Sequence, residues 1–305
     1  MAAKNTGLEL GDVRDSLDLG RFVTRDIAPY LFLVPFFLVF AVFYIWPIIW
    51  APWMSLHSFG FGSTEWVGLE NYEAIMTGGQ FLKTLTNTFV IAGVVVPTQV
   101  IGGLLIAVLL NSQLLRFRKI IRSGYLIPVA LSMTVLSIVF QFLLTRGGLV
   151  NQFSDAVFGG HILWLTSPLW AKVSVAVVVI WRQMGISVLI YLAGLQGIPD
   201  QLYQAAKIDG ANRFQQFLYI TVPQLRPITL LVVILNTTRT VRLFDVPYVL
   251  TGGGPGNASK TIVQLLFETA FLNVNLGRAA AMGTVLTLVL GGIMIAQYKL
   301  GRETQ

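Results

Sequence analysis

Residues 84–115 read TLTNTFVIAGVVVPTQVIGGLLIAVLLNSQLL, a run without a single Asp, Glu, Lys or Arg. In hydrocarbon every peptide group must find its hydrogen bond within its own segment, and about 20 apolar residues cross the oily core, so the run predicts a membrane-spanning helix. The pattern repeats on both sides. Residues 27–64, 123–145 and 279–298 are equally free of charge, and two further apolar spans, 173–198 and 227–250, are interrupted only by Arg182, Arg239, Arg242 and Asp245. The expectation is an all-α integral membrane protein with six transmembrane helices near 27–50, 86–110, 122–144, 173–195, 228–250 and 279–299.

Composition agrees. Of the 305 residues, 55% are hydrophobic and 11% charged, against roughly 25% charged in a soluble domain. An ordinary cytosolic enzyme is excluded. The net charge of +7 comes from small basic groups scattered between apolar runs, which argues against nucleic acid as a partner. With no cysteine, disulfides, thiolate metal sites and cysteine nucleophiles are ruled out, and His57 and His161 are too few and too far apart for a histidine metal site. No catalytic or metal-binding constellation is expected.

Lys and Arg near helix ends favour the cytoplasm. With the amino terminus inside, the inner segments hold thirteen basic residues and the outer segments five (Lys83, Arg146, Lys172, Lys260, Arg278), the remaining three of the 21 lying within helices. Both termini are therefore expected in the cytoplasm. Residues 1–26 carry nine charges and no apolar core, unlike a signal peptide, and read as a cytoplasmic tail. The membrane domain then covers 27–299, with a cytoplasmic loop at 196–226 and a second tail at 300–305. Pro35, Pro47, Pro97 and Pro128 fall inside the apolar runs and each removes a backbone donor, so bent helices are expected.

The loop between the fourth and fifth helices, LQGIPDQLYQAAKIDGANRFQQFLYITVPQLRP over 195–227, is too polar to cross a membrane yet helical in pattern. Pro199 and Asp200 suit a first helical turn and Gly210 an end. Asp209 is expected to cap a second short helix whose Phe214, Phe217, Leu218 and Ile220 recur at helical spacing until Pro223. Two short helices joined at a tight glycine turn would form a compact knob outside the bilayer.

Within it, Gln204-Ala205-Ala206, then Asp209-Gly210-Ala211, then Phe217, Ile220 and Pro223 resemble the EAA loop of membrane subunits of ATP-binding-cassette importers. The first position holds Gln204 where that family has glutamate, keeping the reach and losing the charge. Tyr44-Ile45-Trp46-Pro47, Ser55 to Phe59, Val67 to Tyr72 and Thr251 to Gly256 extend the similarity to the maltose and glycerol-3-phosphate type of first permease subunit of the carbohydrate importers. The resemblance implies the type I importer permease fold in the plasma (inner) membrane of a prokaryote. It also implies a second homologous permease, two copies of a cytoplasmic ATPase, an extracytoplasmic sugar-binding protein, and transport by alternating access. It makes Tyr203, Gln204, Ala205, Ala206, Asp209, Gly210 and Ala211 the ATPase-coupling segment. No cofactor belongs to this chain; ATP and magnesium would sit on the ATPase. The run Gly254 to Thr261 nearly spells a phosphate-binding loop, but Ser259 stands where its second glycine should be, so no nucleotide site is expected.

Charge at membrane depth costs roughly 2.5–3.5 kcal/mol per residue, so such groups face a cavity or a partner. Arg242 and Asp245, three apart, are expected to pair. For Asn236, Arg239 and Thr240, clustered on one helix, structural and substrate roles stay open. The resemblance implies an intramembrane sugar path between the two helices flanking the loop, at Arg182, Gln183 and Ile186 and at Asn236, Arg239 and Thr240. Arginines would equally suit a phosphorylated or acidic polyol. A stand-alone secondary transporter is the remaining alternative, with Asp245 the one buried carboxylate available for coupling.

Overall fold

The computed structural model describes residues 28–60, 62–111 and 118–303; the expected tail 1–26 lies outside them. The chain divides into two compact units, 1–53 and 54–305.

The described residues of the first unit form one apolar helical run. Helix α1 (Ala28–Phe40) passes through a wide π turn at Ala41–Ile45 into α2 (Trp46–Ser55). The π turn has a local cause. Pro47 cannot donate, and its ring would strike the carbonyl four residues back, so the helix widens just before it and Trp46 N–H reaches Ala41 O instead. Stacked rings run along the helix, Phe36 on Phe40 on Tyr44 and Trp46 on Trp50 on Trp53.

In the second unit a short antiparallel hairpin, β1 (His57–Phe59) and β2 (Thr64–Trp66), pairs His57 with Trp66 and leads into α3 (Glu70–Thr77). Asn71 holds this corner by donating Nδ2 to the carbonyls of Ser55 and His57 at 2.9 and 3.0 Å. The long spans follow. Helix α4 (Gln80–Asn111) contains residues 84–111 of the charge-free run, and α8 (Pro168–Gln196) is the most enclosed of the membrane-length helices. Between them lie α5 (Arg118–Ala130), α6 (Met133–Leu144) and α7 (Leu149–Phe158). The last span is α13 (Leu276–Glu303), which runs on beyond the expected end at 299.

Two expected helices are broken. The helix expected over 122–144 is interrupted at Leu131–Ser132, where Ser132 is extended. The helix expected over 228–250 is α12 (Arg226–Val241), which stops before Leu243 and Phe244 and is followed by a π turn at Pro247–Thr251. Five helices among the described residues are long and apolar enough to span a membrane. A sixth span arises if Arg213–Gln224 and Arg226–Val241, bent by 65°, count as one.

Helices in lipid gain no hydrophobic drive from meeting each other and pack instead through small residues and buried polar pairs. Three glycines illustrate this for α8. A Cβ on Gly185 would run into the Tyr125 carbonyl oxygen of α5, one on Gly103 of α4 would lie 2.9 Å from Ser187 Cβ, and one on Gly194 would meet Ile228 and Leu225 at 2.9 Å. Helices α4, α8 and α12 are further joined by a polar ladder. Asn236 Nδ2 donates to Ser187 Oγ at 3.1 Å, and Ser187 Oγ donates to Gln99 Oε1 at 3.1 Å. All three residues are buried.

Candidate functional site: the loop elbow and the arginine cavity

Helix α9 (Asp200–Ile208) begins at Pro199, whose fixed φ suits a helix entry, and carries Asp200 in its first turn, where a negative charge meets the positive end of the helix dipole. It ends in a Schellman motif. Gly210, at φ +80°, turns the chain back so that Gly210 N–H reaches Lys207 O and Ala211 N–H reaches Ala206 O at 2.8 Å. Asp209 closes α9 and, contrary to the sequence expectation, does not cap the next helix. That cap is Asn212, because the backbone has to complete the glycine turn before a new helix can start. Asn212 and Gln215 form a reciprocal capping box ahead of α10 (Arg213–Gln216), with Gln215 N–H to Asn212 Oδ1 at 2.9 Å and Asn212 N–H to Gln215 Oε1 at 2.8 Å. The helix continues through a π turn at Phe217–Thr221 into α11 (Val222–Gln224), the widening again falling just before a proline, Pro223.

The two arms are tied together at Tyr203, whose hydroxyl shares a hydrogen bond of 2.9 Å with Thr221 Oγ1. Tyr203 and Ile220 also pack against a cluster of Ala107, Leu110, Tyr191, Leu195, Leu225 and Val232, so the elbow is seated on the ends of α4, α8 and α12. Its outer side is bare. None of the α9 residues is buried, Gln204, Ala205 and Asp209 are exposed, and Ile208 and Tyr219 are exposed by 87% and 73%. Of the expected coupling residues, Tyr203, Ala206 and Ala211 are half-buried and the other four face outward.

The expected substrate residues divide. Arg182, Gln183 and Arg239 line a cavity of about 400 Å³ together with Met133, Thr238, Arg242, Phe244 and Asp245. Arg182 also donates to the carbonyls of Val129 and Leu131 at 3.4 and 3.3 Å. These carbonyls terminate α5 at the break, and a cation there answers both the unpaired acceptors and the negative end of the helix dipole. Asn236 faces away from the cavity into the ladder with Ser187, Thr240 is buried beside it, and Ile186 lies one turn from Arg182 outside the lining. The expected pair of Arg242 with Asp245 does not form. Both side chains are exposed to the cavity, and the one ion pair among the described residues joins Lys260 to Glu268 at 2.6 Å.

Lys260 belongs to the glycine-rich loop, and its pairing removes any resemblance to a phosphate cradle. Here carbonyls are the groups presented to α4: Gly256 O accepts from Lys83 Nζ at 2.7 Å and Asn257 O from Asn87 Nδ2 at 2.8 Å. Lys83, Asn87 and Thr88 of α4, with the Asn212–Gln215 box and Ser187, are the working residues that sequence reading missed. The box had a signal, an Asn followed three residues later by Gln; the others had none.

A bent, polar-seamed bundle of apolar helices with an elbow outside it is the architecture of a membrane transport subunit. Residues 73–301 match the family described as the binding-protein-dependent transport system inner membrane component, and the chain belongs to it. It is a multi-pass permease subunit and not a catalytic one. The chain is 37% identical over 288 residues to the probable ABC transporter permease protein YurN of Bacillus subtilis, covering 92% of this chain and 98% of that one. It is 35% identical to the arabinooligosaccharides transport system permease protein AraP of the same organism, over 92% and 90% of the two chains. A chain in the crystal structure of a bacterial ABC transporter involved in the import of the acidic polysaccharide alginate shares the fold, with a TM-score of 0.83 at 21% identity over 93% and 98% of the two chains.

Proposed function

We propose that this chain is one of two homologous permease halves of an ATP-driven carbohydrate importer, with both termini in the cytoplasm. One of two ATPase subunits grips the elbow, an external binding protein delivers the sugar, and ATP with magnesium resides on the ATPases. Tyr203, Gln204, Ala205, Ala206, Asp209, Gly210 and Ala211 form the coupling segment. Arg182, Gln183 and Arg239 face the passage, with Ile186 and Asn236 one helical turn away and Thr240 next to Arg239 as its supporting layer.

The observation that carries this reading is the elbow itself. It is stiffened internally by the Schellman turn, the capping box and the Tyr203–Thr221 bond, and seated on three spans, yet it leaves Ile208, Phe214 and Tyr219 bare. Rigid apolar groups held in water suit a protein partner, and a rigid lever transmits that partner's motion. Closure of the ATPases moves the elbow, α12 and α8 tilt with it, and the cavity alternates between the two sides. The carbohydrate cargo is supported by relatives such as the arabinooligosaccharide permease.

The test is Gly210. A Cβ there meets nothing within 4 Å, so the whole cost of a side chain is the left-handed backbone, on the order of 1–3 kcal/mol for a β-branched residue. In the reconstituted importer, Gly210→Val is expected to insert normally but hydrolyse ATP without accumulating sugar, and Gly210→Asn, which tolerates the left-handed region, to restore coupling. Full coupled uptake by the valine variant, or uptake by this chain with no ATPase present, would overturn the reading.

A further inference from the structure

The cavity's charge is lopsided. Three arginines, Arg182, Arg239 and Arg242, line it against one carboxylate, Asp245, a balance of three positive charges to one negative. Arg182 uses part of its donor set on the Val129 and Leu131 carbonyls, whereas Arg239 and Arg242 make no hydrogen bond or ion pair among the described residues. Beside them Gln183, itself only 4% exposed, lines the same space with its Oε1 lacking any donor. Arg182 and Gln183 sit midway along the 29-residue α8, and a guanidinium at the centre of a bilayer demands an anion or water.

The donor and acceptor inventory narrows the cargo. A neutral sugar asks for a mixture of modest donors and acceptors. Free guanidinium forks match the paired oxygens of a carboxylate, sulfate or phosphate, and a lone buried amide oxygen needs a hydroxyl to donate to it. A hydroxylated anion satisfies both at once.

We propose that this cavity takes a carbohydrate bearing an acidic group, with the anion on Arg239 and Arg242 and, once the Gln183 amide turns toward the cavity it lines, a hydroxyl donating to its Oε1; this rests on the carbohydrate-permease reading above. Asp245 stands at the rim as an acceptor for further hydroxyls. It also sets an upper limit on the charge the cavity favours, since a densely anionic chain would press against it.

The whole importer, with its sister permease, ATPase and binding protein, is reconstituted in ATP-loaded vesicles. It is offered an equimolar mixture of neutral probes (maltotriose, cellobiose, arabinotriose) and acidic ones (digalacturonate, an aldobiouronic acid, a sulfated disaccharide), and the contents are read by mass spectrometry. Acidic probes are expected to accumulate at least tenfold over neutral ones, the uronates and the sulfated sugar separating carboxylate from sulfate preference. Joint Arg239→Gln and Arg242→Gln substitution is expected to lower acidic uptake on the order of tenfold, the size of a lost charge-assisted hydrogen bond, with assembly unchanged. The joint Arg→Lys pair keeps the charge and should recover part of it. Preferential uptake of neutral probes would overturn this inference and leave the carbohydrate reading standing. Loss of the sister permease from the double glutamine variant would also overturn it, by showing the arginines to be interface partners. Accumulation of amino acids or peptides from a parallel mixture, with no glycan taken up, would overturn both.

Discussion

Gly185 shows how narrowly single residues determine the packing of this bundle. It lets the Tyr125 carbonyl of α5 approach α8 to a distance that no side chain permits, and the same contact brings Val129 and Leu131 within reach of Arg182. A methyl group there has to push backbone aside, at a cost of about 1–3 kcal/mol or more. Gly185→Ala is therefore expected to lower the melting temperature of the purified complex. Gly93→Ala, on α4 with open space around it, should leave melting unchanged or slightly raised, because alanine is the better helix former. Equal melting of the two variants would mean that α5 does not press on α8. The charges at this scale were legible in sequence as residues that must face a cavity or a partner. Which did so was not: Arg182 reaches helix-end carbonyls far away in the chain, and Arg242 faces the cavity without taking Asp245.

The elbow belongs to the scale of elements. Its helices, its glycine turn and its position between two spans were all readable, because Pro199, Gly210 and the apolar spacing of Phe217 and Ile220 act through local backbone chemistry. Only the second cap was misread, since an Asp before the glycine and an Asn after it both suit the role and the direction of the turn chooses between them. Replacing that cap by Asn212→Ala removes one side of the capping box, worth about 1 kcal/mol. Amide hydrogen exchange over 212–216 should then run about fivefold faster, with α4 and α8 unaffected. Unaltered exchange would show that the π turn and the Tyr203 tie hold the elbow unaided. The breaks at 131–132 and after Val241 are the element-scale features that hydropathy missed, for apolarity measures the oil a segment can enter and not whether its helix is continuous.

At the scale of the whole molecule the distribution of basic residues predicts which loops share a side, and the chain's lack of cysteine makes the prediction direct to examine. Single replacements at exposed positions, Glu65→Cys in the β-hairpin and Gln201→Cys in α9, should behave oppositely toward a membrane-impermeant maleimide added to intact cells. The first should label and the second should label only after the membrane is opened. The reverse pattern would invert the topology and place the elbow beyond the reach of any cytoplasmic ATPase. The glycine-rich loop offers a structural counterpart. It is fastened to α4 through Lys83, Asn87 and Thr88 and closed by the Lys260–Glu268 pair, so it moves with the bundle and does not hang free of it.

The sequence by itself determined that this is a bundle of membrane helices with a helical elbow outside the bilayer, because bilayer thickness, peptide-bond satisfaction and glycine backbone freedom act on contiguous residues. Tertiary structure alone decided which polar groups knit the helices and which stand unpaired in the cavity. Gln99, Ser187 and Asn236 meet from three separate helices, and Arg182, Arg239 and Arg242 converge from two regions far apart in the chain; contacts of that kind depend on how helices cross, which no local pattern records.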